Sequence, residues 1–116
     1  MKVLALIYAD PDPWESASEE EREEVYARYR AFGEHAADKI VGGAELASSR
    51  SATTVRVREG ETIVTDGPFA ETKEQLGGFY LFDCDGIEEA ERLAAQIPGA
   101  TRGAIELRAA HAEEAT

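Results

Sequence analysis

The chain holds one cysteine, Cys84, one tryptophan, Trp14, and half as many cations as anions: 12 Lys plus Arg against 24 Asp plus Glu in 116 residues. A lone cysteine excludes an internal disulfide and a cysteine-built zinc site. At the end of an apolar strand, Cys84 reads as a small buried or half-buried hydrophobe. The shortage of cations leaves a net charge of -12. Such a field repels phosphate backbones and anionic lipid, so neither nucleic acid nor a membrane surface is an expected partner. No run approaches the roughly eighteen apolar residues of a membrane span. The N-terminus lacks a basic region followed by a long apolar stretch and a cleavage site, and the expectation is a cytoplasmic protein. Nucleophile-elbow, phosphate-cradling and dinucleotide-binding motifs are missing, so no cofactor is called for. Asp10, Asp12 and Glu15 lack the glycine spacing of a calcium loop, and no dedicated metal site is expected from them.

What is present suffices for a core. Hydrophobic residues make up 43%, an ordinary share for a globular domain. The length fits a single domain, expected over 1–108, with an unanchored tail at 109–116. A core of this size is modest and gains from burial in an oligomer.

The pattern alternates strands and helices. Val3 to Tyr8 is continuously apolar, as in a strand covered on both faces. Asp10-Pro11-Asp12-Pro13 breaks it. Ser18 and Glu21 form a capping box opening a helix over Glu19 to Ile40, with Val25, Tyr29, Phe32, Ala36 and Ile40 in one stripe and Gly42-Gly43 as its stop. Thr53 to Arg58 alternates, Val55 and Val57 on one face and Thr54, Arg56 and Arg58 on a wet one. Glu59-Gly60 turns it back through Thr62 to Val64 as a short arm. Phe79 to Phe82 is again apolar on both faces. A second helix places Ile87, Ala90, Leu93, Ala94 and Ile97 together before Pro98-Gly99, and Gly103 to Arg108 closes the series. The order predicts an α+β ferredoxin-like sandwich, an antiparallel sheet with two helices on one face. Large apolar side chains on both faces of two strands would leave a wide patch uncovered. A homodimer through the open sheet face is the expected remedy.

Thr65 to Gly78, TDGPFAETKEQLGG, is the stretch that carries chemistry. One reading is a turn: Asp66 bonds the backbone two residues ahead, Gly67 permits positive φ, Pro68 presets φ and Phe69 tucks against the core. The other makes Asp66 an acid–base residue, since desolvation beside an apolar sheet makes a carboxylate a better proton acceptor. Lys73 either binds an anionic ligand group or pairs with a neighbouring Glu on the surface. Tyr26 lies off the apolar stripe, about 100° from Val25, its hydroxyl reaching either a pocket or only water. His35 falls about 80° from Val25 on a helical wheel, on the flank of the stripe, where it is a partly covered surface histidine or a base for Asp66. His111 lies in the tail.

This stretch resembles, nearly letter for letter, the signature of the DGPF branch of the YCII-related family. The likeness extends to Ile7-Tyr8, to Trp14 before an acidic helix, to Gly42-Gly43-Ala44-Glu45-Leu46, to Ala52 through Arg56 and to Gly103 through Arg108. It implies a ferredoxin-like fold of the dimeric α/β-barrel type. It also implies that Asp66 matches an aspartate faced, in the wider family, by a histidine early in the first helix. That histidine's place falls near Val25 and Tyr26 here, and His35 lies some nine residues later. Genes of this branch often neighbour those of extracytoplasmic-function sigma factors. Two functions follow as expectations. One is a small-molecule enzyme of lyase or isomerase type with Asp66 catalytic and Tyr26 and Lys73 on the substrate. The alternative is a non-catalytic ligand-binding or interaction module linked to sigma-factor regulation.

Overall fold

In the computed structural model, residues 1–111 are described. The elements run β1 (Lys2–Ala9), α1 (Pro11–Glu15), α2 (Glu19–His35), β2 (Ile40–Glu45), β3 (Thr53–Arg58), β4 (Glu61–Asp66), β5 (Gln75–Asp83), α3 (Ile87–Ala95) and β6 (Ala104–Ala109). Single 3-10 turns stand at Ser49–Ser51 and Pro98–Thr101. Four strands form one antiparallel sheet in the order β2-β5-β1-β6, the ferredoxin-like arrangement. β3 and β4 pair only with each other, as a separate arm.

The apolar run of β1 feeds both faces of the sheet. Register sets Val3 opposite Phe82 and Ala5 opposite Tyr80 and Leu107. Those side chains face α2 and α3, where Phe32, Ala36, Ala90, Leu93 and Ala94 close the core. The Phe32 ring lies 5.2 Å from Tyr80 and 6.3 Å from Phe82, in the tilted and edge-on geometries aromatic quadrupoles favour. Cys84 is buried in this core, as its sequence position implied. Leu4, Leu6, Phe79 and Leu81 alternate onto the other face, half-buried, with no helix laid over them among the described residues.

Several boundaries differ from the sequence reading. α2 ends at His35, with Ala36 as its C-cap, and Ile40 opens β2. The stripe therefore survives while its last residue reaches the core from a strand. Gly42 and Gly43 do not stop the helix; they lie within β2 against Leu81 and Tyr80. A Cβ at Gly43 would come 2.7 Å from the Phe79 carbonyl, so this pair sits where two backbones approach closely. Pro11 does not only break β1. It sits at the first turn of α1, where its missing N–H costs nothing, and the Asp10 carboxylate caps the Asp12 N–H at 3.0 Å.

The arm also inverts expectation. Val55 and Val57 are each 60% exposed, whereas Thr54 and Arg56 are partly covered. Ile87, assigned to the buried face of α3, is exposed at its first position. β6 extends to Ala109, and the Ala110 N–H bonds the Lys2 carbonyl at 3.0 Å, so the first part of the expected tail is tied down. The remainder of that tail, 112–116, lies outside the described residues.

Candidate functional site

The signature begins where β4 ends. Asp66 pairs with Thr53 across the arm, and Gly67 follows with φ of 101°, a value that favours glycine. The Gly67 N–H donates to the Ala52 carbonyl at 2.7 Å, and Thr54 Oγ1 donates to the Gly67 carbonyl at 2.8 Å. These two bonds close the turn. The Asp66 carboxylate is exposed and makes no hydrogen bond among the described residues, which corrects the expectation that it caps the backbone ahead. Phe69 does not tuck inward either. It is 80% exposed, with the Arg56 guanidinium 5.6 Å above its ring.

Beyond the turn the loop braces itself. Thr72 Oγ1 donates to the Glu74 carbonyl, and Gln75 Nε2 donates to the carbonyls of Thr72 at 2.7 Å and Ala70 at 3.2 Å. This holds Thr72, Lys73 and Glu74 over one end of the open sheet face, to which Tyr8, Ala104 and Glu106 point. The result is a cleft of about 930 Å³, open to solvent and completed by Asp10 and Arg102. Lys73 and Arg102 are its cations; Asp10, Glu74 and Glu106 are its carboxylates. Lys73 forms no salt bridge with Glu71 or Glu74 among the described residues, against the surface-pair reading. Asp66 and Tyr26 lie outside this lining.

Tyr26 belongs to a second cluster, built by α1, α2 and β2. Its hydroxyl donates to Glu45 Oε2 at 3.2 Å, and its ring meets Trp14 edge-on at 5.4 Å. Desolvation, then the Glu45 charge, push the Tyr26 phenol above its ordinary pKa, so it is a hydrogen-bond donor at neutral pH. The Arg22 guanidinium lies 5.4 Å over Trp14 and donates to the carbonyls of Trp14 and Glu15. Arg50 bonds Glu15 and Asp12, and Ser48 donates to Glu15 at 2.8 Å. The carboxylates of Asp12 and Glu15 thus meet a guanidinium. Glu45 was not singled out from the sequence; its only signal was its place in Gly42-Gly43-Ala44-Glu45-Leu46. His35 is exposed and lines a groove between α2 and the segment after α3, with Arg28, Gln96 and Pro98; no arm residue lines that groove.

A family model, that of the YCII-related domain, matches residues 1–111. The chain belongs to the YCII-related family. An uncharacterised protein of Rhizobium meliloti (strain 1021) is 42% identical over 114 residues, spanning 93% of this chain and 90% of its own length. Among solved structures, the 5-chloro-2-hydroxyhydroquinone dehydrochlorinase of Burkholderia phenoliruptrix AC1100, in complex with 2,5-dihydroxybenzoquinone, covers 98% of both chains with a TM-score of 0.58. At 17% identity that likeness is one of fold. Where the family resemblance places a histidine, near Val25 and Tyr26, this YCII-related chain presents a phenol engaged with Glu45.

Proposed function

We propose that this YCII-related protein is a cofactor-independent acid–base enzyme of lyase or isomerase type acting on a small molecule, with Asp66 moving the proton. The observation that carries the reading is the free Asp66 carboxylate beside a turn that closes through Ala52, Thr54 and Gly67 without it. A carboxylate that the fold does not use, held at a strand end, is available for chemistry. Lys73 and Arg102 line the cleft on the open sheet face, apart from Asp66 in the single chain, and there supply positive charge for an anionic substrate group. Tyr26, kept protonated, would donate to a substrate only by exchanging its bond to Glu45. The dehydrochlorinase that shares the fold acts on a hydroxylated ring, which makes small hydroxylated aromatics the first substrates to try.

A homodimer through the open sheet face belongs to this reading. Leu4, Leu6, Phe79 and Leu81 form its apolar centre, and burying side chains of that size at ~25 cal/mol per Å² contributes several kcal/mol. The cleft opens on this same face, so a second copy would wall it.

The test is conversion of a panel of small hydroxylated aromatics, followed by chromatography. At least one should be consumed, and Asp66→Asn should slow it by about 10² or more. Equal turnover by the variant rejects Asp66 as the proton carrier. The exposure of Asp66 in one chain favours the alternative, a non-catalytic binding module. Binding of a panel member without conversion would select that alternative.

A further inference from the structure

The arm formed by β3 and β4 has no partner layer among the described residues. Register places Thr53, Val55 and Val57 on one face with Thr62, Val64 and Asp66. Val55, Val57 and Val64 are each 60% exposed. The opposite face offers Ile63, 39% exposed, beside Arg56. An isolated two-stranded hairpin is marginally stable in water and needs a third strand or a packed layer. The chain is correspondingly spread out. Its radius of gyration is 16.0 Å, against about 13 Å for a compact domain of this length.

Area decides what covers the arm. Four strands at about 4.8 Å spacing and roughly 24 Å length give the open sheet face about 450 Å². The valine face of the arm, two strands of roughly 20 Å, gives about 190 Å². A stable interface takes about 800 Å² from each partner. These are flat outlines, smaller than the accessible area they cover; on that measure the arm alone is far too small and the two surfaces together, about 640 Å², come nearest. The two surfaces also belong to one chain, so a single two-fold related copy can cover both reciprocally.

We infer that the valine face of the arm packs on a second copy of this chain, as an arm exchanged across the sheet-face dimer, and that this contact excludes water from around Asp66. Asp66 shares that face at the arm's base, so the site is incomplete in one chain. The inference rests on the dimer proposed above and adds to it the arm and the closure of Asp66.

Sedimentation of Val55→Asp and Val64→Asp against wild type tests it. The arm variants should raise the dimer dissociation constant at least tenfold, while Asp66→Asn, which takes a charge off the covered face, should not raise it. Wild-type association by both arm variants overturns the inference. If Leu6→Asp dissociates the dimer and the arm variants do not, the sheet-face dimer stands and the arm contact falls. A wild-type protein that stays monomeric removes both but leaves the turnover test of Asp66 in place. Where an arm variant fails to fold, hydrogen exchange of wild-type amides 53–66 decides. Protection should grow over the concentration range in which the dimer forms; exchange independent of concentration there overturns the inference.

Discussion

Asp66 and Glu21 are both carboxylates beside a turn or helix end, yet the fold uses only one. Glu21 accepts the Ser18 N–H at 3.1 Å, and that bond, more than any other cause, lowers its pKa. Glu89 is lowered chiefly by the Asp85 N–H, with Lys39 at 3.3 Å adding to it. A folded pKa below the unfolded value means stability that is present above the unfolded pKa and lost as pH falls through the folded one. Urea denaturation should therefore show stability declining as pH drops through and below the usual carboxylate range. Glu21→Gln and Glu89→Gln should each flatten that decline. Lys39, raised chiefly by its bond to Glu89, has the opposite sign and matters only as pH rises through its folded value. At concentrations below dimer formation, Asp66→Asn should leave the unfolding free energy within about 0.5 kcal/mol of wild type, as for exposed sites the fold does not use. Gly103 is the contrasting case. A Cβ there would overlap the Tyr8 carbonyl, a clash that only backbone movement relieves. Gly103→Ala should destabilise by about 1–3 kcal/mol or more in thermal melts and loosen the end of β6 that borders the cleft.

Elements carry the next part of the argument. α2 is strongly polar along most of its length and buries only Phe32 fully, so its start depends on its cap. The capping box is complete, Ser18 Oγ accepting the Glu21 N–H at 3.1 Å while Glu21 accepts in return. Ser18→Ala should cost about 1 kcal/mol, read by circular dichroism during thermal unfolding. Because α2 carries Tyr26 and Arg22, fraying of its first turns should also disturb the Tyr26–Glu45 contact. α1 is too short to hold its own shape and is clamped from outside, by Arg22 on its carbonyls and Arg50 on its carboxylates.

The whole molecule is a slab of 46 × 43 × 18 Å with helices on one side of the sheet and apolar side chains on the other. Sedimentation equilibrium at micromolar concentration should return twice the 12.6 kDa chain mass. A single-chain mass would remove the dimer. The net charge of -12 opposes association of two copies at long range, so added salt should tighten the dimer.

The sequence by itself determined the ferredoxin-like class, the long helix that opens on the Ser18 cap, the apolar stripe through Tyr29, Phe32 and Ala36 and the position of the signature turn. Those features depend on periodicity, caps and breakers, which act over a few residues. The sequence reading missed α1 and β2 and did not separate Thr53 to Arg58 from the main sheet. Only the tertiary structure decided that Gly42-Gly43 belongs to a strand, because the close approach of Phe79 comes from the neighbouring strand β5, far along the chain. It alone put Glu45 on Tyr26 and Arg50 on Glu15, since those partners lie 19 and 35 residues apart and no local pattern joins them. Asp66 belongs to both accounts. Its neighbours in sequence marked it as a turn or a site, and only the tertiary structure decided that the turn closes through Ala52, Thr54 and Gly67 without its carboxylate.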